Sequence, residues 1–149
     1  MFRPRIIPVL LLRGQGLVKT VRFSSPTYIG DPINAVRLFN DYRADELVFL
    51  DINASSERRI ISGELVRKIG DEAFMPFSIG GGITNIEQIR ELLSLGAEKV
   101  VMNTIVQGNM PLIEQASKIF GSQSIMVSVD VKRRIFGKRS CLKPHTSLL

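Results

Sequence analysis

Five short apolar runs recur along the chain, each rich in β-branched residues and bounded by turn formers. They are Arg5–Leu12, Glu46–Ile52, Met75–Ile79, Glu98–Met102 and Ser124–Asp130. None alternates apolar with polar residues, as a strand with one wet face would. Near-continuous apolar runs mark strands buried on both faces, and hence a parallel sheet joined by helical crossovers. The helices fall between the runs. Asp31-Pro32 reads as an N-cap followed by proline at the first helical position, with Ile33, Val36, Leu38 and Phe39 on one face up to Tyr42. Ile60, Ile61, Leu65, Val66 and Ile69 repeat at helical spacing, weakened by Gly63. Thr84 and Glu87 predict a capping box for a third helix that Gly96 stops. Asn109 and Pro111 open a fourth, which ends at Gly121.

The predicted order, β-α-β-α-β-α-β-α-β, suits two α/β architectures. A doubly wound open sheet can be complete at five strands. A (β/α)8 TIM barrel carries eight strand–helix units over about 250 residues, so a chain of 149 residues would supply about five parallel βα units of one. Periodicity leaves both open; the residues at the strand ends discriminate.

In either architecture, ligands meet the C-terminal ends of the strands. Those ends carry Arg13-Gly14-Gln15-Gly16 with Lys19, then Asp51, Asn53 and Ser55, then Gly80-Gly81-Gly82, then Asn103-Thr104, and finally Asp130 with Lys132 beyond it. The triple glycine is the most informative. Bare backbone lets a ligand approach closely, and amides at a helix N-terminus favour an anion. A tight turn would usually need one glycine, not three. No Gly-Lys-Ser/Thr follows, so this is not a Walker loop, and no dinucleotide fingerprint is present. Asn103 and Thr104, at the neighbouring strand end, would add amides and a hydroxyl to the same phosphate, or simply form a helix-entry turn. Asp51 and Asp130 are each either a general acid/base or a partner for a loop cation or amide. Lys19 would bind an anion or solvate its loop.

Charge changes this picture little. The net charge is +6, but residues 131–149 hold six basic residues and no acid, leaving the body balanced. A nucleic-acid binder would carry its charge on a folded face. Lone Cys141 forms no internal disulfide, and lone His145 has no metal-ligand companion. The run Ile6–Leu12 is too short for a signal segment or a membrane span. The expectation is a cytoplasmic protein with no metal, no cofactor, no nucleic acid and no membrane among its partners.

Read in order, Arg5-Ile-Ile-Pro8, Gly16-Leu-Val-Lys19, Gly30-Asp-Pro32, Asp45 to Asp51, Ser78-Ile-Gly-Gly-Gly-Ile83, Lys99-Val-Val-Met-Asn103, Phe120-Gly-Ser-Gln123 and Val129-Asp-Val-Lys132 resemble one family. It is the cyclase subunit of imidazole glycerol phosphate synthase, a (β/α)8 barrel of histidine biosynthesis. The resemblance runs from Arg5 to about Lys138. It implies that a glutamine amidotransferase subunit docks at the N-terminal face and delivers ammonia. A phosphorylated ribulosyl-formimino substrate would be cyclised at the C-terminal face, giving imidazole glycerol phosphate and AICAR. By the same resemblance, Gly82, Asn103 and Thr104 match the family's first phosphate site and Lys19 its substrate-side lysine. Asp130 matches one of its two catalytic acids, and Arg5, Glu46 and Lys99 match charged residues at the ammonia entrance.

Two departures stand out. The family's other catalytic aspartate falls where this chain has Leu11, and a leucine cannot carry a proton. That leucine resembles a paralogous branch associated with surface-polysaccharide loci, which works beside an amidotransferase and a sugar-modifying enzyme in acetamidino-sugar formation. The second departure is residues 139–149, which match nothing in the family and show no strand or helix pattern. The expectation is an incomplete barrel domain over residues 1–138, then an unstructured, out-of-frame tail from a truncated gene. Strands one and five would then expose open edges for self-association.

Overall fold

The structure, a computed structural model, describes residues 3–21, 24–103, 109–133 and 139–141, of which 131–133 and 139–141 are described by backbone alone. Seven strands form one sheet: β1 (Val9–Arg13), β2 (Gly16–Val21), β3 (Ser24–Gly30), β4 (Leu47–Asp51), β5 (Phe77–Gly80), β6 (Lys99–Met102) and β7 (Ile125–Val127). Their spatial order is β3-β2-β1-β4-β5-β6-β7. β1, β4, β5, β6 and β7 pair parallel, each beside its predecessor. A doubly wound sheet would reverse its order at a switch point; this one does not, and the succession is that of a (β/α)8 barrel. Among the described residues the sheet is open, ending at β3 and β7.

Among the described residues, four helices supply the crossovers and cover one face: α1 (Pro32–Asp41), α2 (Gly63–Glu72), α3 (Ile86–Ser94) and α4 (Met110–Phe120). Alternate residues of the parallel strands, among them Leu12, Leu47, Phe49, Ile79, Val100 and Met102, join the buried cluster with Val36, Val66, Ile69, Ile89, Leu92 and Ala116 of the helices. The intervening positions face the opposite side of the sheet, where Val48, Ser78 and Val101 are also buried. Burial on both faces is why these runs do not alternate. Among the described residues, no helix is long and apolar enough to cross a membrane.

Several expectations need correcting. The segment after β1 is not a loop: β1, β2 and β3 form an antiparallel meander whose first turn is Gly14-Gln15, with Arg13 opposite Gly16. Gly14 takes φ +62°, the conformation that a two-residue hairpin asks of glycine. One open edge is therefore β3, because β2 pairs with Leu11–Arg13 of β1. The first and last parallel strands are shorter than their apolar runs, beginning at Val9 and ending at Val127. Ile60 and Ile61 precede α2, which Ser62 caps and Gly63 begins. The capping of α3 is shifted by one residue. Asn85 accepts from the Gln88 amide at 2.9 Å, and the Gln88 side chain accepts from the Thr84 amide at 2.7 Å. Residues 139–149 are not wholly without structure, since β8 (Val131–Arg133) pairs antiparallel with β9 (Arg139–Cys141).

The other caps are as expected. Asp31 accepts from the amides of Ile33 and Asn34 above Pro32, and Asn109 caps α4. Gly96, at φ +104°, ends α3 with the Ala97 amide reaching back to Leu92 and its own amide to Leu93. The same pair of bonds closes α1 through Ala44 and Arg43, although here the positive-φ residue is an arginine.

Candidate functional site

Among the described residues, the face of the sheet that no helix covers carries polar groups at both ends and apolar side chains between. At the C-terminal ends, the Asn103 amide nitrogen donates to Asp130 Oδ2 at 3.2 Å and to Ser128 Oγ at 3.3 Å. Asp130 lies beyond β7 and Asn103 beyond β6, so two residues singled out from distant parts of the sequence meet on adjacent strand ends. Ser128 joins them, and sequence reasoning missed it. Its two-residue spacing from Asp130 in an extended segment was the available signal. Leu11, where the resemblance expects a second acid, is half-buried on β1 opposite Val18 and Leu50. Thr104 lies outside the described residues, as does the side chain of Lys132, the alternative partner for Asp130.

Asp51 is not part of this cluster. It shares its face of β4 with Leu47 and Phe49, toward the helices, and its side chain is wholly buried. Asp51 Oδ1 accepts from the Asn53 amide at 3.0 Å, and Oδ2 accepts from Arg59 Nη1 at 2.6 Å. That hydrogen bond, foremost, holds the Arg59 guanidinium above its ordinary pKa. Arg59 also donates to Glu57 at 2.6 Å and to the Ile60 carbonyl at 3.1 Å. The loop-partner reading of Asp51, one of the two its strand-end position allows, is thus the one the geometry supports.

The glycines answer to that loop. A Cβ on Gly82 would overlap the Arg59 carbonyl oxygen, and one on Gly81 would sit 2.8 Å from the Asp51 carbonyl oxygen. One on Gly80 would meet Leu50 at 2.7 Å and Val101 at 2.9 Å. Gly81 and Gly82 also take φ of +132° and +71°. All three positions are therefore closed to side chains by packing alone. The glycines do not abut the helix either, because α3 begins only at Ile86. The Gly81 carbonyl accepts from Ile61 at 3.3 Å, while the amides of Gly81, Gly82 and Ile83 find no protein acceptor among the described residues. Lys19 is exposed on β2, with Thr27 of β3 as its Cα partner, and makes no ion pair among the described residues.

A second polar cluster occupies the N-terminal ends of the strands. Glu46 Oε1 accepts from Ser78 Oγ at 2.7 Å and from Lys99 Nζ at 2.8 Å. Glu46 is 3% exposed and Ser78 is fully buried. Burial pushes the Glu46 pKa up, but the hydrogen bonds from Lys99 and Ser78, with the charges of Lys99 and Arg5, outweigh it and leave it below the ordinary value. Of Arg5, Glu46 and Lys99, expected to act together, Glu46 and Lys99 form an ion pair, while exposed Arg5 adds only its charge. Ser78 is the cluster's unforeseen member, legible as the one hydroxyl inside the run Met75–Ile79.

A family model described as histidine biosynthesis protein matches residues 5–145 of the chain. The chain belongs to this family. Histidine biosynthesis proteins with closely similar sequences include the "Putative imidazole glycerol phosphate synthase subunit HisF" of Leptospira interrogans, 45% identical over 93% of this chain and 55% of its own length. The "Putative imidazole glycerol phosphate synthase subunit hisF2" of Pseudomonas aeruginosa is 46% identical over 94% of this chain and 56% of its own. The imidazole glycerol phosphate synthase subunit HisF of Helicobacter hepaticus is 46% identical over 87% and 51%. The chain spans about half the length of these curated relatives. The family match continues past residue 138, across the β8–β9 hairpin.

Proposed function

We propose that this histidine biosynthesis family member is a cytoplasmic homologue of the synthase cyclase subunit. In this reading it handles a phosphorylated small molecule at the C-terminal ends of its strands. It takes ammonia, released by a glutamine amidotransferase subunit, at their N-terminal ends. The observation that carries the proposal is the polarity of the helix-free face: Asn103 and Asp130 converge at one end, and the Glu46–Lys99–Ser78 group is buried at the other. The amides of Gly81 and Gly82, with Asn103 and the hydroxyl of Thr104, would hold the phosphate, and Lys19 would reach the substrate from the hairpin. Asp130 would be the proton-transferring group.

Leu11 limits the reaction. Cyclisation by paired acid and base needs two titratable groups, and a hydrocarbon supplies neither function. Leu11 favours the paralogous role, in which ammonia serves amidination of a surface-polysaccharide sugar beside an amidotransferase and a sugar-modifying enzyme. A second reading, a non-catalytic conduit or docking protein for the amidotransferase, is favoured by the intact Glu46–Lys99 pair together with leucine in place of an acid at position 11. Turnover assays with ammonia and the ribulosyl-formimino substrate should yield no imidazole glycerol phosphate; measurable product would overturn the role assigned to Leu11. Inorganic phosphate should shift the amide resonances of Gly81, Gly82 and Asn103, and shifts confined to other residues would place the anion elsewhere.

A further inference from the structure

We infer that Asp51 and Arg59 are positioning residues for the glycine loop, holding its amides in the conformation that receives an anion. The inference rests on the phosphate site proposed above and assigns Asp51 a role distinct from contact with substrate.

The chain of contacts runs from the strand end to the glycines. Asp51 ends β4 and fastens both ends of the loop that follows, through the Asn53 amide at 3.0 Å and the Arg59 guanidinium at 2.6 Å. Between these points the loop is wound into a turn, with the Glu57 amide on the Asn53 carbonyl and the Arg59 amide on the Ala54 carbonyl, both at 3.0 Å. Ala54 is fully buried beneath it. Gly82 lies against this turn, in contact range of both the Arg59 carbonyl and Ala54, while Gly81 lies against Asp51 and bonds Ile61 through its carbonyl. The glycines have no side chains with which to fix their own conformation, and glycine populates positive and negative φ about equally. What holds them at φ +132° and +71° is the wall made by residues 51–61. That wall is tied to the sheet by an ion pair whose carboxylate side chain has no exposure and whose arginine side chain is 35% exposed.

Lysine at position 59 could reach Asp51 but could not also hold Glu57 and the Ile60 carbonyl, because it lacks the planar fork. Inorganic phosphate titrations of the full chain, followed by amide NMR, test the inference with Arg59→Lys and Arg59→Met. Arg59→Met should weaken phosphate by about tenfold, by analogy with the low end of what loss of an outer partner costs a metal site, and Arg59→Lys should recover part of that loss. The weakening should persist at about 1 M KCl, where the Debye length is about 3 Å and a remote charge no longer matters. If folded Arg59→Met binds phosphate as the parent does, the positioning role is wrong although the site stands. If the loss vanishes at high salt, Arg59 acts only as a charge. If the parent shows no shifts at Gly81 and Gly82, the site itself fails and the inference with it. Asp51→Asn, which keeps the shape and removes the charge, should reproduce the Arg59→Met loss.

Discussion

Replacing Lys99 with methionine should turn Glu46 from a stabilising group into a pH-dependent liability. Lys99 Nζ lies 2.8 Å from Glu46 Oε1, with the Lys99 side chain 23% exposed and that of Glu46 4%. Breaking a buried pair by removing one partner costs about 3–5 kcal/mol, because the other charge is left uncompensated. Ser78 still donates to the same oxygen and Arg5 still contributes its field, so the lower figure of about 3 kcal/mol applies at pH 7. The pH dependence then follows from linkage. In the parent the Glu46 pKa lies below 4.5, so its contribution is present above that value and is lost as pH falls through the folded-state value. Without Lys99, burial dominates and raises the folded-state pKa. The contribution of Glu46 is then fully present below 4.5 and disappears as pH rises through the raised value. The penalty of Lys99→Met must therefore grow with pH. It should be larger at pH 7 than at pH 4. Urea denaturation of parent and variant at the two pH values measures it. Glu46→Gln in the Lys99→Met background should restore most of the loss. A penalty equal at both pH values would refute the reasoning, since it would mean that the charge on Glu46 does not feel its burial.

Gly82→Ala should destabilise by about 3 kcal/mol or more, since positive φ alone costs a non-glycine residue about 1–2 kcal/mol and the added Cβ meets the Arg59 carbonyl; a denaturation midpoint near the parent's would show that the loop yields. Arg43→Gly should do the opposite. It relieves φ +52° at the end of α1 and should raise stability by about 0.5 kcal/mol after the entropy cost of glycine, measurable as an upward shift in Tm. Among the described residues β3 is an exposed edge strand, and open edges recruit other chains, so sedimentation at micromolar concentration should show association that grows with concentration through β3. A cooperative, concentration-independent monomer would exclude it.

Much of the scaffold was legible in the amino-acid pattern because burial on both faces leaves long apolar runs and because caps are local chemistry. Asp31, Asn109 and Gly96 act where their neighbours required them to. The β1–β3 meander was not, for two reasons. β2 begins with the same residues, Gly16 to Lys19, that a flexible anion-binding loop would use. β3 is exposed almost throughout and owes its conformation to pairing with β2, a non-local effect that leaves little trace in its composition. The turn itself was readable, since Gly-x between two apolar runs is a hairpin signal. In the candidate site, Asn103 and Asp130 were found by strand-end position alone. For Asp51, strand-end position does not specify a face, but counting back by twos to Phe49 and Leu47 puts it on the helix side. The glycines were readable as a close approach, but what approaches them is Arg59, twenty-three positions before Gly82, and such a contact is settled by packing.

β1 acquires its two neighbours on very different timescales. Its pairing with β2 needs only the Gly14-Gln15 turn, and hairpins of that kind close in about 1–10 μs. Its pairing with β4 joins Val9 to Val48 across the whole of α1, and loop closure of that length must precede any reward from contact. The meander can therefore extend β1 early and leave its other edge ready, a template present before the first crossover docks. Each later parallel strand then adds to the one made just before it, β4 to β1, β5 to β4, β6 to β5 and β7 to β6. The spatial order of the parallel strands coincides with their order in the chain, so a polypeptide emerging from the ribosome N-terminus first can build this sheet in the sequence in which it is synthesised.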